Sequence, residues 1–74
     1  MMTIRVKTKQ QAKQFTIDAC RRQYGFAPKM KDVHIDAYNT ERIIFHVLNK
    51  QYLIKMYKDF PLVTMINFIC GHDF

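Results

Sequence analysis

The chain has 74 residues, a formal net charge of +6, 49% hydrophobic residues, six Phe and four Tyr. This composition excludes an intrinsically disordered chain, and the length predicts one small domain over residues 1–74 with a marginally sufficient core. Two widely separated cysteines, Cys20 and Cys70, exclude a disulfide scaffold, so we expect reduced thiols and a cytoplasmic location.

The positive charge is concentrated in the first part of the chain. Residues 1–32 hold eight of the twelve Lys and Arg side chains beside two Asp, whereas residues 33–74 hold four basic and four acidic side chains. Such asymmetry predicts an acidic or polyanionic partner for the basic part. We expect no membrane association, because the N-terminus lacks an apolar signal sequence and no apolar run is long enough to cross a bilayer.

The first predicted element is a helix from Lys9 to Tyr24. It is preceded by residues 3–7, whose alternation is compatible with a short edge strand or a frayed arm. Thr8 is the predicted N-cap, with Gln11 three residues later as its capping-box partner. Gly25 and the apolar residue after it predict a Schellman ending.

The two faces of this helix differ in character. The predicted core face carries residues at spacings of three and four: Ala12, Phe15, Thr16, Ala19, Cys20 and Gln23. The opposite face is basic and rich in amides, with Ile17 lying between Lys13 and Arg21. An apolar side chain in a basic stripe is a candidate contact centre, so we predict that Lys13, Ile17 and Arg21 bind a partner.

Residues 32–60 predict three consecutive strands, because β-branched and aromatic residues alternate with period two. A three-residue first loop, 39–41, would place Val33 opposite Val47, Ile35 opposite Phe45 and Ala37 opposite Ile43. A two-residue second loop, Asn49-Lys50, would place Phe45 opposite Ile54. With these two loop lengths the strongly apolar residues of all three strands lie on one face of the sheet, which we predict to be the core face.

The other face of the meander is mixed in polarity. We predict that His34 lies opposite His46 and that Leu53 and Tyr57 share their surface, which makes these four residues the second part of the candidate partner site. The two histidines and Asp36 are candidate metal ligands, but a structural zinc site needs four ligands. We therefore predict no metal.

The C-terminal part is predicted to be a short apolar helix. Asp59 would cap it, Pro61 would occupy its first turn and Gly71 would close it. Such an apolar helix must be buried in its own domain or by another chain, which suggests a homodimer through this helix. The alternative is a fourth strand over residues 62–66.

The adjacent Cys70, His72 and Asp73 juxtapose a thiol, an imidazole and a carboxylate. Catalytic groups of this kind are normally brought together by the fold, so we interpret Cys70 as a packing residue and predict neither catalytic residues nor a cofactor.

The order helix, three-stranded meander, helix over residues 8–70 resembles double-stranded-RNA-binding domains and small HicA-type RNA-cleaving toxins. The sequence departs from both patterns. Residues 61–70 lack the basic cluster of the first family, and the histidines stand in Val33-His34-Ile35 and Phe45-His46-Val47 rather than in the Gly-Ser-His turn of the second. The resemblance covers topology alone, and no residue role is carried over.

Together these features predict an α+β fold of the order (β)αβββα, with a helix packed on a three-stranded antiparallel meander. The predicted function is binding rather than catalysis, as an adaptor or inhibitor that contacts a protein partner; small genes of mobile elements and phages often encode such modules. The alternative is a nucleic-acid-binding module that uses the basic helix. A third hypothesis, a small hydrolase relying on His34 or His46, has the least support.

Overall fold

The computed structural model describes residues 3–68. It has helix α1 (Lys9–Tyr24), a 3-10 turn (Met30–Asp32) and strands β1 (Val33–Tyr38), β2 (Arg42–Val47), β3 (Lys50–Tyr57) and β4 (Phe60–Phe68). The strands form one antiparallel sheet in chain order. Because α1 packs against one face of this sheet, the predicted α+β class is confirmed. No helix of the described part is long and apolar enough to cross a membrane.

The predicted bounds of α1 are confirmed. The Oγ1 atom of Thr8 accepts a hydrogen bond from the Gln11 backbone N at 3.1 Å, while the Gln11 side chain accepts from Lys7 N at 2.7 Å. At the other end Gly25 has a φ of 85° and donates to the Arg21 carbonyl at 2.9 Å. This single bond is the simpler left-handed ending, in place of the predicted Schellman pattern.

The predicted C-terminal helix is wrong, because this part of the chain is strand β4. Tyr57 lies opposite Phe60, and Lys58 at the first loop position has a φ of 57°, which turns the chain back along β3. The β-branched residues of the segment suit a strand, and β3 offers a free row of backbone donors and acceptors. The topological resemblance depended on this helix and is therefore not supported. The suggested homodimer was also based on this helix, which the chain does not form. Residues 69–74, including Cys70 and His72, lie outside the described part.

The first hairpin confirms half of its predicted register. Val33 lies opposite Val47, and Ile35 lies opposite Phe45, before a bulge at Asp36 shifts the pairing by one residue. Beyond the bulge Ala37 is exposed and Tyr38 packs against the core, which reverses their predicted faces. A bulge has this effect because one extra residue interrupts the alternation of the strand.

The second hairpin differs from the prediction by two residues. Its loop is Leu48-Asn49 rather than Asn49-Lys50, so Phe45 lies opposite Tyr52 and their rings stack with centroids 5.2 Å apart. A slip of two residues leaves every side chain on its predicted face. The exposed Leu48 takes the positive φ, 57°, that the tight loop requires.

The core lies between α1 and the sheet, as expected from the predicted faces. Its fully buried apolar side chains are Ile4, Ala12, Ala19, Val33, Ile43, Phe45 and Ile54. Residues 3–7 form no strand; Ile4 anchors them through its side chain and through a 2.9 Å bond from its N to the Thr40 carbonyl.

Ile17 is buried with only 7% exposure, so its predicted position on an exposed basic stripe is wrong. The chain after α1 turns back beside the helix, where Ala27 and Met30 pack against the core. The Gln10 amide, on the same helix, also reaches the Met30 sulfur at 3.9 Å. This returning segment widens the buried side of α1 beyond the stripe that packs on the sheet.

Candidate binding surfaces

One face of the sheet points away from α1 and carries a pair of stacked imidazoles. The rings of His34 and His46 are 4.9 Å apart and nearly parallel. The bulge at Asp36 brings its carboxylate to 2.9 Å from the His46 Nδ1 atom, and the Gln51 amide donates to the same carboxylate at 2.9 Å. Desolvation by burial raises the pKa of Asp36, but the hydrogen bonds from Gln51 and His46 outweigh it, so this pKa lies below its usual value.

The stacked arrangement does not make a chelating pair. Lone pairs of imidazole nitrogens lie in the ring planes, so two nearly parallel stacked rings direct them side by side rather than toward a common ion. Within residues 3–68 no group of three or more His, Cys, Asp or Glu side chains could hold a metal ion. The pair also lies on an open face, away from the residues that line the main cavities of the described chain.

The predicted partner-binding residues do not form one surface. Four of them, His34, His46, Leu53 and Tyr57, lie on the open face of the sheet, as their alternation predicted. Two others, Lys13 and Arg21, lie on α1 in the other layer, where the Arg21 guanidinium is 3.9 Å from the Asp18 carboxylate. The seventh, Ile17, is buried.

Strand β4 carries more exposed large apolar side chains than any other element of the described chain. Five of its large apolar side chains are between 45% and 61% exposed: Phe60, Leu62, Met65, Ile66 and Phe68. The strand contains no charged residue. Edge strands are usually protected from other chains by charged side chains, which β4 lacks. The uncharged run was visible in the sequence, but its assignment to a helix concealed the edge.

The middle of the β4 edge is covered by a side chain of α1. The Gln23 amide donates to the Val63 carbonyl at 2.7 Å, and its oxygen accepts from the Val63 N at 2.7 Å. The Tyr24 hydroxyl donates to the same carbonyl at 3.4 Å. Gln23 thus replaces one peptide group of a neighbouring strand, a role that its predicted place on the helix core face did not indicate.

An apolar cavity of about 360 Å³ lies beside this edge. Its walls come from the end of α1, the following loop and the buried face of the sheet, among them Cys20, Tyr24, Phe26, Phe45, Tyr52 and Met65. Burial raises the pKa of the Cys20 thiol, and burial together with the neighbouring Cys20 raises the pKa of Tyr24. Both groups therefore stay protonated near neutral pH, which leaves the cavity uncharged.

Fold and surfaces together define a two-layer α+β domain with an open sheet face and an exposed apolar edge strand. No protein-family model, curated protein or solved structure matches the chain.

Proposed function

We propose that this chain is a non-enzymatic protein-binding module, an adaptor or inhibitor, whose contact surface is β4. The observation that carries the proposal is the combination of an edge position, nine residues without a charge, and five half-exposed large apolar side chains. An apolar surface of this kind is typical of protein contacts, and in a lone chain it favours aggregation. The cytoplasm, where thiols stay reduced, is the proposed location.

A binding role also accords with the position of the titratable groups. The Asp36 carboxylate holds His46 in a defined orientation, which is one part of a general-base arrangement. Catalytic sites are usually concave and exclude water, whereas this pair lies on the open sheet face. We therefore interpret the pair as a structural feature of the bulge and propose no catalytic role or cofactor.

A second candidate function is nucleic-acid binding. Arg42 lies opposite Lys55 on the open sheet face, and Tyr57, which is 62% exposed, follows on the same face. Basic side chains beside an exposed aromatic ring suit phosphates and unpaired bases. The exposed Arg21 and the half-buried Lys13 belong to the other layer, so they would contact a different part of the same nucleic acid.

Site-specific photocrosslinking distinguishes the two functions. A photoreactive amino acid replaces Ile66 on β4, Tyr57 on the open face, or the exposed Lys9 on α1 as a control, and the protein is irradiated in its source cells. The first proposal expects a discrete protein adduct at Ile66 that is absent at Lys9. Equal adducts at Ile66 and Lys9, or none at Ile66, would contradict it. Nucleic-acid adducts at Tyr57 that vanish at high salt would favour the second function.

A further inference from the structure

We infer that the C-terminal half of β4 accepts an extended, acidic segment of a partner protein as a fifth strand, with one large apolar side chain of that segment in the cavity beside Met65. The inference rests on the proposed function, since it names the binding mode and the partner chemistry for the same surface. Strand addition supplies affinity through main-chain hydrogen bonds and specificity through pockets for alternate side chains.

The direction of the β4 backbone supports strand addition. Because the N and O atoms of Val63 bond to Gln23, they point away from β3. Backbone groups of every second residue point to the same side of a strand, so those of Pro61 and Met65 also point away from β3. Ile66 is the extra residue of a bulge, so the next residue with this orientation is Phe68 rather than Asn67. Met65 therefore presents its backbone N and O, and Phe68 its carbonyl, along an edge that pairs with no other strand of residues 3–68. The Phe68 N donates to the Asn67 Oδ1 atom at 2.9 Å, and an added strand would replace this bond.

The available length of this edge is limited at its other end. Pro61 has no N–H to donate, and the Val63 backbone is already satisfied by the Gln23 amide. A partner strand can therefore pair only from about Thr64 onward. This places the added strand beside the part of β4 that borders the cavity.

The cavity provides a place for one side chain of the added strand. Met65 lines it, and so do Tyr24 and Tyr52, which lie on either side of β4. In an added strand alternate side chains point to opposite faces, so every second residue would point toward this apolar cavity. Its volume of about 360 Å³ suits an aromatic or large aliphatic anchor.

Charge decides between a partner strand and a second copy of this chain. The chain carries +6, and one cation stands at each end of β4: the Arg22 guanidinium lies 5.4 Å from the Phe60 ring, and Lys50 lies opposite Phe68. A second copy would bring the same positive charge to the contact. A segment with acidic residues on both sides of its apolar anchor is complementary to these cations.

The test uses the full chain and synthetic peptides. The probe is a nine-residue peptide with a central Phe, alternating Thr and Val, and two Asp at each end. Nuclear magnetic resonance titration should shift the backbone amides of Met65 and Phe68 and the ring signals of Tyr24. Replacing the central Phe of the peptide with Ala should weaken binding about tenfold, and exchanging Asp for Lys should weaken it by at least a similar factor.

Two further controls separate strand pairing from nonspecific adhesion. Two N-methylated peptides are compared, one methylated at the odd and one at the even residues, so that each lacks the N–H donors along one of its two edges. Only the peptide that lacks the donors facing β4 should lose binding. The variant Phe26→Ala, at a cavity residue that is 73% exposed, should bind about tenfold more weakly, whereas Leu48→Ala, at a residue 82% exposed on a distant loop, should bind normally. Equal binding by both N-methylated peptides would overturn strand addition.

The outcomes also separate this inference from the proposed function. If no peptide binds while the Ile66 photoadduct persists, strand addition is wrong and protein binding through β4 survives. If both are absent, both proposals fail. Sedimentation that shows a dimer without peptide, with the Met65 amide protected from hydrogen exchange, would identify a second copy as the occupant and overturn the acidic partner.

Discussion

The side-chain amide of Gln23 forms two hydrogen bonds of 2.7 Å with the backbone N and O of Val63, 40 residues further along the chain. Through this pair the helix stabilises the edge of the sheet and also covers its middle. The same contact therefore connects the stability of the domain with the length of β4 edge that stays free.

Gln23→Ala should lower the free energy of unfolding by about 1–3 kcal/mol, because it leaves the partly buried Val63 N–H without a partner and the Val63 carbonyl with only the 3.4 Å bond from Tyr24. It should also promote self-association, since Val63 joins the free edge. Urea denaturation and light scattering measure the two effects. Gln14→Ala, which removes an exposed bond to Asp18, should change stability by less than about 0.5 kcal/mol. Equal losses in the two variants would refute the role of Gln23.

Phe45→Ala should destabilise the protein by roughly 3–5 kcal/mol, because the side chain is 1% exposed and stacks on Tyr52 at the centre of the core. Urea denaturation in comparison with Leu48→Ala measures the difference. A loss below about 1 kcal/mol would show that the core is not centred on Phe45.

Leu48→Gly should stabilise the protein by up to about 1 kcal/mol. Leu48 has a φ of 57° and is 82% exposed, so Gly relieves an unfavourable backbone conformation with little loss of packing. The matched control is Asn49→Gly at the other loop position, which lacks a positive φ and should destabilise the protein. Thermal unfolding of both variants measures the effect. Stabilisation by Asn49→Gly but not by Leu48→Gly would contradict the Leu48-Asn49 loop and favour a loop at Asn49-Lys50.

Asp36 should make stability depend on pH in the acidic range. Its pKa in the folded chain lies below the ordinary value of 3.8, so its contribution is fully present above that value and is lost as the pH falls toward the folded pKa. Urea denaturation of wild type and Asp36→Asn should therefore differ near neutral pH and converge in acid. Asp59→Asn, at a loop carboxylate, serves as the control, and a difference independent of pH would contradict this assignment.

Local signals in the sequence were sufficient for the bounds of the helix and for the faces of the first three strands, except at Ala37 and Tyr38 beyond the bulge. Thr8, Gln11 and Gly25 terminate α1 through bonds within a few residues, so its bounds are readable without knowledge of the rest of the chain. Alternation likewise assigned Ile35, Phe45 and Ile54 to the core because it depends only on neighbouring positions.

Long-range pairing decided the remaining features. A slip of two residues at Leu48-Asn49 keeps the same faces, so alternation alone cannot detect it, and the bulge at Asp36 depends on contacts with His46 and Gln51. The uncharged run 62–68 suited a helix or a strand, and the free edge of β3 determined its conformation. The sequence by itself therefore determined the α+β class, the helix and the buried face, whereas only the tertiary structure placed an apolar strand at the edge and Gln23 against it.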